Sequence, residues 1–381
     1  MPATAEGEVL PTDDDIITAL SRRRIELARQ AGSDWRFSES LKELSEEMAQ
    51  EYAGRALVEL IQNGHDALGS GGRGRIGVLL DLHTPDPAGD AEHRGTLYVA
   101  NDGAGFTEAN FREIIEFGLS GKGPGEGIGN KGLGFRSVLQ LTDWPEIYSR
   151  SVAGSAGFDG FCFRFATPDD LRALIEDPEA VSWVIDKVSP LALPVPAAVT
   201  DPVVEEFAAQ GFSTVVRLPL CKESAVTAAL AQVAELVRSD APLLLFLDRI
   251  TGLTVETLDG AGRAERHVLT RSERPPTWTT AADGGWLAEV DLGEAGQYLL
   301  ARGSVSADAL HDAIERSIAG DELHRKWRNW QGDTWVGIAL PLDRELDAGL
   351  MYTFLPMGAE APAPFPGHAH APFFTKMARL H

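Results

Sequence analysis

The chain has 381 residues, 44% hydrophobic and 24% charged, a globular balance with room for two domains. Its 57 acidic against 34 basic side chains leave a formal charge of -23, a field that repels phosphate backbones and argues against direct nucleic-acid binding by this segment. Two cysteines, Cys162 and Cys221, without a CxxC pair argue against a disulfide scaffold or a zinc site and fit a reducing cytoplasm. The opening MPATAEGEVLPTDDD lacks the basic and apolar regions of a secretory signal, and the helical patterns carry too much charge to span a membrane.

Residues 1–14 read as a disordered N-terminus. From Asp15 to Gln30, the residues Ile16, Ile17, Leu20, Leu27 and Ala28 recur at helical spacing. A second helical pattern runs from Ser38 to Leu68 and dissolves into GSGGRG. Strands follow at 75–82 (RIGVLLDL) and 96–100 (TLYVA), joined by a loop or exposed hairpin. Thr107 starts a helix with Phe111, Ile114 and Ile115 on its apolar face. The glycine-rich run 118–134 leads into a further helix at 135–141. Strands are expected at 146–151, 161–166 and 214–218, with a helical insert near 168–176.

That order is an α/β sandwich, with helices on one face of a mixed sheet. Pro219 and the polar CKES at 221–224 mark a boundary. The first domain is therefore 15–222, and a second, smaller α/β domain occupies 223–381. Its helices are expected at 225–236 and 307–318. Its strands are expected at 252–258, 265–271, 286–292, 297–300, 335–340 and 350–355. The chain stops at TKMARLH, directly after two phenylalanines, as the front part of a longer protein would.

Three segments carry chemistry. In ELIQNGHDA, 59–67, Glu59 and Asn63 lie four apart on one helical face, and Asp66 stays near it. A carboxamide oxygen can complete the shell of Mg²⁺ without adding charge. A free carboxylate beside it can orient and deprotonate a water aimed at a phosphate. A solvated polar helix face has the same pattern. In NDGAGF, 101–106, Asp102 stands at a strand end before Gly103 and Gly105. It can accept the amino hydrogen of adenine, while the glycines let the backbone turn; a plain Asx turn is the alternative. In FGLSGKGPGEGIGNKGLGFRS, 117–137, Gly129, Gly132 and Gly134 allow successive amides to converge on an anion. Lys122 and Lys131 add positive charge there. The spacing is neither GxxxxGK[ST] nor a dinucleotide fingerprint.

In this order the three segments resemble the boxes of the GHKL, or Bergerat-fold, ATPases, among them Hsp90, DNA gyrase B, MutL and the sensor histidine kinases. Glu59 matches the water-activating glutamate and Asn63 the magnesium asparagine, with Asp66 beside them. Asp102 matches the adenine-reading aspartate, followed by Gly103 and Gly105. In GIGNKGLGFRSV, Gly129, Gly132 and Gly134 match the phosphate-cradling glycines, with Asn130, Lys131 and Leu133 among them, and Phe135, also expected at the nucleotide, and Ser137 fit the helix that follows. Thr214, in FSTVVRLPL, matches a threonine of the adenine water network. The phrase GLGFRSVLQLTDWPEIYS is closest to the Hsp90-like modules of sacsin. GSGGRGR after Leu68 departs from Hsp90, and the stretch between Gly118 and Gly129 implies a short lid.

The resemblance implies Mg²⁺-dependent hydrolysis of ATP to ADP and phosphate, coupled to closure of the lid and of the second domain. A chaperone-like or antiviral-defence ATPase with a protein client, and a nucleotide-dependent homodimer, follow from it. The alternatives are a non-hydrolysing nucleotide switch, a protein kinase of the same class, and a DNA-linked topoisomerase or mismatch-repair ATPase. Lys376 in Phe374-Thr375-Lys376 is similar to the Gln-Thr-Lys loop of the gyrase transducer, without its glutamine, and is the candidate γ-phosphate sensor.

Overall fold

The computed structural model describes residues 11–31, 54–69, 71–86, 92–115, 134–151, 155–238, 240–275, 285–323, 325–330, 332–357 and 361–372. Helix α1 spans Asp13–Ala31, with Asp13, Asp14 and Asp15 in its first turn, where acidic groups complement the helix dipole. Helix α2 spans Ala56–Ala67; the expected helical stretch 38–53 lies outside the described residues. Strands β1 (Gly74–Asp81) and β2 (Gly95–Asn101) precede helix α3 (Glu108–Ile115). Residues Gly134–Gln140, where a helix was expected at 135–141, form a 3-10 helix, closed where Leu141 donates to the carbonyl three residues back, on Val138.

Strands β3 (Glu146–Ser149), β4 (Phe163–Phe165), β5 (Pro194–Pro196) and β6 (Thr214–Leu220) follow. Between them lie helices α4 (Pro168–Leu174), α5 (Pro178–Lys187) and α6 (Pro202–Ala209). Each begins with proline behind a capping side chain, Thr167, Asp177 or Asp201, because proline's fixed φ suits the first turn and its missing N–H is not needed there. Helix α7 (Glu223–Leu236) then leads to β7 (Ile250–Leu258) and β8 (Ala264–Thr270).

These eight strands form one mixed sheet in the order β5-β4-β3-β6-β2-β1-β7-β8. All neighbours are antiparallel except β1 and β7. Because β6 and β7 both run parallel to β1, β6-α7-β7 is a strand-helix-strand crossover. The first sheet therefore continues to Thr270, not to residue 222. Pro219 and CKES are the entry to a crossover helix, and β7 supplies the neighbour that the edge of β1 requires.

The two faces of this sheet have separate cores. Ile76, Val78, Leu80, Leu97, Val99, Val216 and Leu218 meet Leu57, Leu60, Ile61, Phe111, Val138, Ala225 and Ala229 on the face covered by α2, α3 and α7. On the other face, Tyr98, Ala100, Tyr148 and Val215 pack with Val204, Phe207 and Phe212. Helix α6 thus covers part of the face the sequence leaves bare.

The second sheet is built from β9 (Ser272–Arg274), β10 (Gly285–Asp291), β11 (Gln297–Val305), β12 (Thr334–Pro341), β13 (Met351–Thr353), β14 (Leu355–Pro356) and β15 (His368–His370). Its order is β14-β13-β15-β12-β11-β10-β9. Helix α8 (Ala307–Ala319) joins Leu310 and Ile314 to Trp327. Two- and three-residue strands such as β5, β9 and β15 are too short to show a period in sequence. The protein is a mixed α/β structure with a large first sheet and a smaller second one.

Candidate functional site

Helix α2 lies over β1 and β2 and presents Glu59 and Asn63 one turn apart. Glu59 is only 7% exposed, and burial pushes its carboxyl above the ordinary range. The guanidinium of Arg55, 3.8 Å away, offsets this only in part. Asn63 is exposed. Gly64 lets the helix press onto the sheet: a Cβ there would stand 2.9 Å from Ile76 Cδ1 and 3.3 Å from Asn101 Cβ. The helix therefore crosses the sheet at the end of β2.

The turn after β2 is held as tightly. The Ala104 N–H donates to the Ala67 carbonyl at 2.8 Å. A Cβ on Gly103 would lie 2.7 Å from that carbonyl carbon, and one on Gly105 would lie 2.1 Å from the Arg150 carbonyl oxygen. The Phe106 N–H donates to Ser149 Oγ at 2.7 Å. These glycines are required by close backbone approach, which moors the turn to the end of α2 on one side and to the end of β3 on the other.

Asn101 pairs directly with Thr214, and Thr214 with Ser149. Partners in an antiparallel pair point to the same face. The three polar side chains therefore form a row at the strand ends, on the α2 face. Thr214 is 2% exposed, and its Oγ1 has no hydrogen-bond partner among the described residues. A buried hydroxyl left unpaired costs free energy unless something completes it. Asn101 Oδ1 accepts from the Gly103 N–H at 3.1 Å.

Asp102 lies elsewhere. One residue further along the chain, it points to the opposite face of the sheet. There it accepts from the Arg75 backbone N–H at 2.6 Å and from Arg75 Nε at 3.1 Å, and Arg75 lies over the Phe212 ring. Asp102 and Thr214, both expected beside the adenine, therefore stand on opposite faces of the sheet, because strand alternation sends consecutive side chains to opposite faces. Asn101, not singled out in the sequence, takes the place beside Thr214. The alternation of Leu97, Val99 and Asn101 was the available signal.

The other expected site residues divide as follows. Phe135 is buried against the α2 core, with Ser137 and Val138 fully enclosed beside it. Gly134 opens the 3-10 turn. Asp66 ends the polar face of α2, its Oδ1 3.7 Å from His65 Nδ1. Lys122, Gly129, Asn130, Lys131, Gly132, Leu133 and Lys376 lie outside the described residues.

A polar link joins α2 to the second sheet. His65 Nε2 lies 3.4 Å from Asp248 Oδ1, and Arg302 Nη1 donates to Asp248 Oδ2 at 2.9 Å. Burial pushes the Asp248 carboxyl up, but hydrogen bonds from His65 and Arg302 and the charge of Arg302 more than offset it, holding the carboxyl below its usual value. Arg302 sits between the rings of Trp286 and Trp335, at 4.4 and 4.3 Å. Glu273 pairs with both Arg271 and Arg302.

Comparison with known proteins adds three findings. The model of the Sacsin domain family matches residues 37–269, a span that ends one residue short of the end of β8. The NO VEIN protein of Arabidopsis thaliana is 40% identical over 70 residues, 18% of this chain and 2% of that protein, so the match touches a very small part of its length. The B-subunit of DNA gyrase from Myxococcus xanthus superposes over 74% of this chain and 78% of its own, with 12% identity and a TM-score of 0.32, a likeness too low to add to the argument.

Proposed function

Because the chain belongs to the Sacsin domain family, whose modules are of the GHKL ATP-binding type, we propose that it binds Mg²⁺-ATP at the end of β2 under α2 and hydrolyses it to ADP and phosphate. The observation that carries this reading is the pairing of Thr214, a buried hydroxyl with no described partner, with the row of polar strand ends beneath the Glu59–Asn63 helix. The base lies beside Thr214, and the amides at Gly129, Gly132 and Gly134, with Lys131, would carry the charge of the triphosphate.

The residues suit magnesium. Asn63 is exposed and makes no hydrogen bond to any described residue, so its carboxamide oxygen would hold the ion. Mg²⁺ would neutralise phosphate charge. Glu59 orients a water for in-line attack on the γ-phosphorus and accepts its proton as the bond to the ADP oxygen breaks. A carboxyl raised by burial is a stronger base than a solvated one.

Coupling to the second sheet runs from α2 through His65 and Asp248 to Arg302. A role for Lys376 as γ-phosphate sensor belongs to the same reading. So do lid closure, a protein client, a nucleotide-dependent homodimer, a chaperone-like or defence setting and a cytoplasmic location. The last is supported by Cys162 and Cys221, neither of which is in a disulfide. Among the described residues, no helix is long and apolar enough to cross a membrane.

The test is Glu59→Ala. Calorimetry should show Mg²⁺-ATP binding near that of the parent, while phosphate release falls by about 100-fold or more, the scale of a lost general base. In the parent, turnover should fall as pH drops through the raised Glu59 pKa, so the acid limb lies above the ordinary glutamate range. An E59A protein with full turnover overturns the role of Glu59. A parent that binds Mg²⁺-ATP and releases no phosphate is a nucleotide switch, and label transferred from ATP onto protein identifies a kinase.

A further inference from the structure

We propose that Asn101 reads the base, presenting an amide donor, so that the site does not favour adenine and takes 6-oxopurine nucleotides with comparable or greater affinity. The inference rests on the nucleotide reading above and sharpens its substrate class.

Three observations carry it. First, Asn101 and not Asp102 stands on the α2 face beside Thr214. The nearer carboxylate is turned away and held by the Arg75 backbone and guanidinium. Second, the orientation of the Asn101 amide is set by chemistry. The Gly103 N–H can only donate, so the atom 3.1 Å from it must be the amide oxygen. The turn that makes this contact is moored by the Ala104 N–H on the Ala67 carbonyl, and Gly64 of α2 closes over the Asn101 Cβ. Third, the amide oxygen is turned to the Gly103 N–H and keeps one lone pair, while the two Nδ2 hydrogens donate to no described residue, so the end of the amide away from the turn is a donor.

A carboxylate here would offer an acceptor to the 6-amino group of adenine. Asn101 offers a donor instead. Facing a 6-amino group, a donor meets a donor, and adenine is left with its ring nitrogens as acceptors. Facing a 6-oxo group, the donor meets a carbonyl oxygen. The Thr214 hydroxyl can turn to donate or accept, so it does not restore a preference for adenine. A site that lacks the matching polar group discriminates weakly, whereas one built for it rejects the wrong partner strongly.

The experiment is titration calorimetry of the parent protein, Asn101→Asp and Asp102→Asn with Mg²⁺-ADP and Mg²⁺-IDP, which differ at the purine 6-position. The parent should bind IDP within threefold of ADP or more tightly. In N101D, the IDP-to-ADP ratio should shift toward ADP by about tenfold or more, the scale of one charge-assisted hydrogen bond. D102N should leave the ratio as in the parent. ADP binding more than threefold tighter than IDP in the parent overturns the base reading and leaves the nucleotide site standing. A ratio that moves in D102N and not in N101D overturns it in favour of Asp102. Should N101D fail to fold, the comparison in the parent still decides. No binding of either nucleotide by the parent overturns both this inference and the function it rests on.

Discussion

The two faces of the first sheet both carry polar groups between the same strands, and they handle them in opposite ways. On the α6 face, Arg217 is 3% exposed and ringed by Asp201 Oδ2 at 2.7 Å, Glu146 Oε1 at 2.9 Å and Asp86 Oδ1 at 2.5 Å. Burial works against its charge, and Glu146, Tyr98, Asp201 and Asp86 more than offset it. Tyr98 and Tyr148 complete the ring by donating to Asp201 and Glu146. On the α2 face, Thr214 Oγ1 has no described partner and Glu59 is buried 3.8 Å from the guanidinium of Arg55, its nearest cation among the described residues. A closed ion cluster of the first kind holds structure together. A row left open at the same depth is shaped for something outside the chain.

The largest effect should come from breaking the closed face. Arg217→Met leaves three buried carboxylates without their cation and should cost about 3–5 kcal/mol of folding stability, read by urea unfolding. A loss below about 1 kcal/mol would show that the cluster relaxes into water and is not the clamp described. The open face should respond the other way. Thr214→Val removes a buried hydroxyl with no partner, so the nucleotide-free protein should gain about 1 kcal/mol of stability. Nucleotide affinity should fall roughly fivefold, the worth of one neutral hydrogen bond. Destabilisation of the free protein with unchanged affinity would mean that the hydroxyl serves the fold and not a ligand. The smallest effect should be that of Asp102→Asn. Its guanidinium partner is 54% exposed, so the lost ion pair should cost under about 1 kcal/mol. ATP affinity, measured by calorimetry, should stay within a factor of two. A tenfold loss would move the base back to Asp102 and collapse the distinction between the faces.

That Glu59 and Asn63 share a helix face and that Gly103 and Gly105 stand in a tight turn was legible in the sequence, because each placement answers to local geometry. Glu59 and Asn63 follow from a helical repeat of 3.6. The two glycines follow from a turn that leaves no room for Cβ, as the Ala67 and Arg150 carbonyls now show. The mixed sheet with helices was readable for the same reason, since apolar period and length separate helix from strand. Asn101 against Asp102 was not readable in this way. Adjacent residues at a strand end have opposite directions, and only the pairing with Thr214 states which one faces α2.

By itself, the sequence determined the order of elements, the acidic field and the residue types gathered on α2 and in the turn after β2. These depend on neighbours a few positions away. Only the tertiary structure decided that β7 and β8 close the first sheet, with Ile250 and Gly74 side by side although 176 positions separate them in the chain. It also decided that Arg217 gathers Asp86, Glu146 and Asp201, and that Asp248 and Arg302 reach back to His65. The physical reason is that backbone periodicity is a local property, whereas register, facing and ion pairing are set by which distant strands meet. A one-residue change of register reverses every side chain while leaving the sequence as it was.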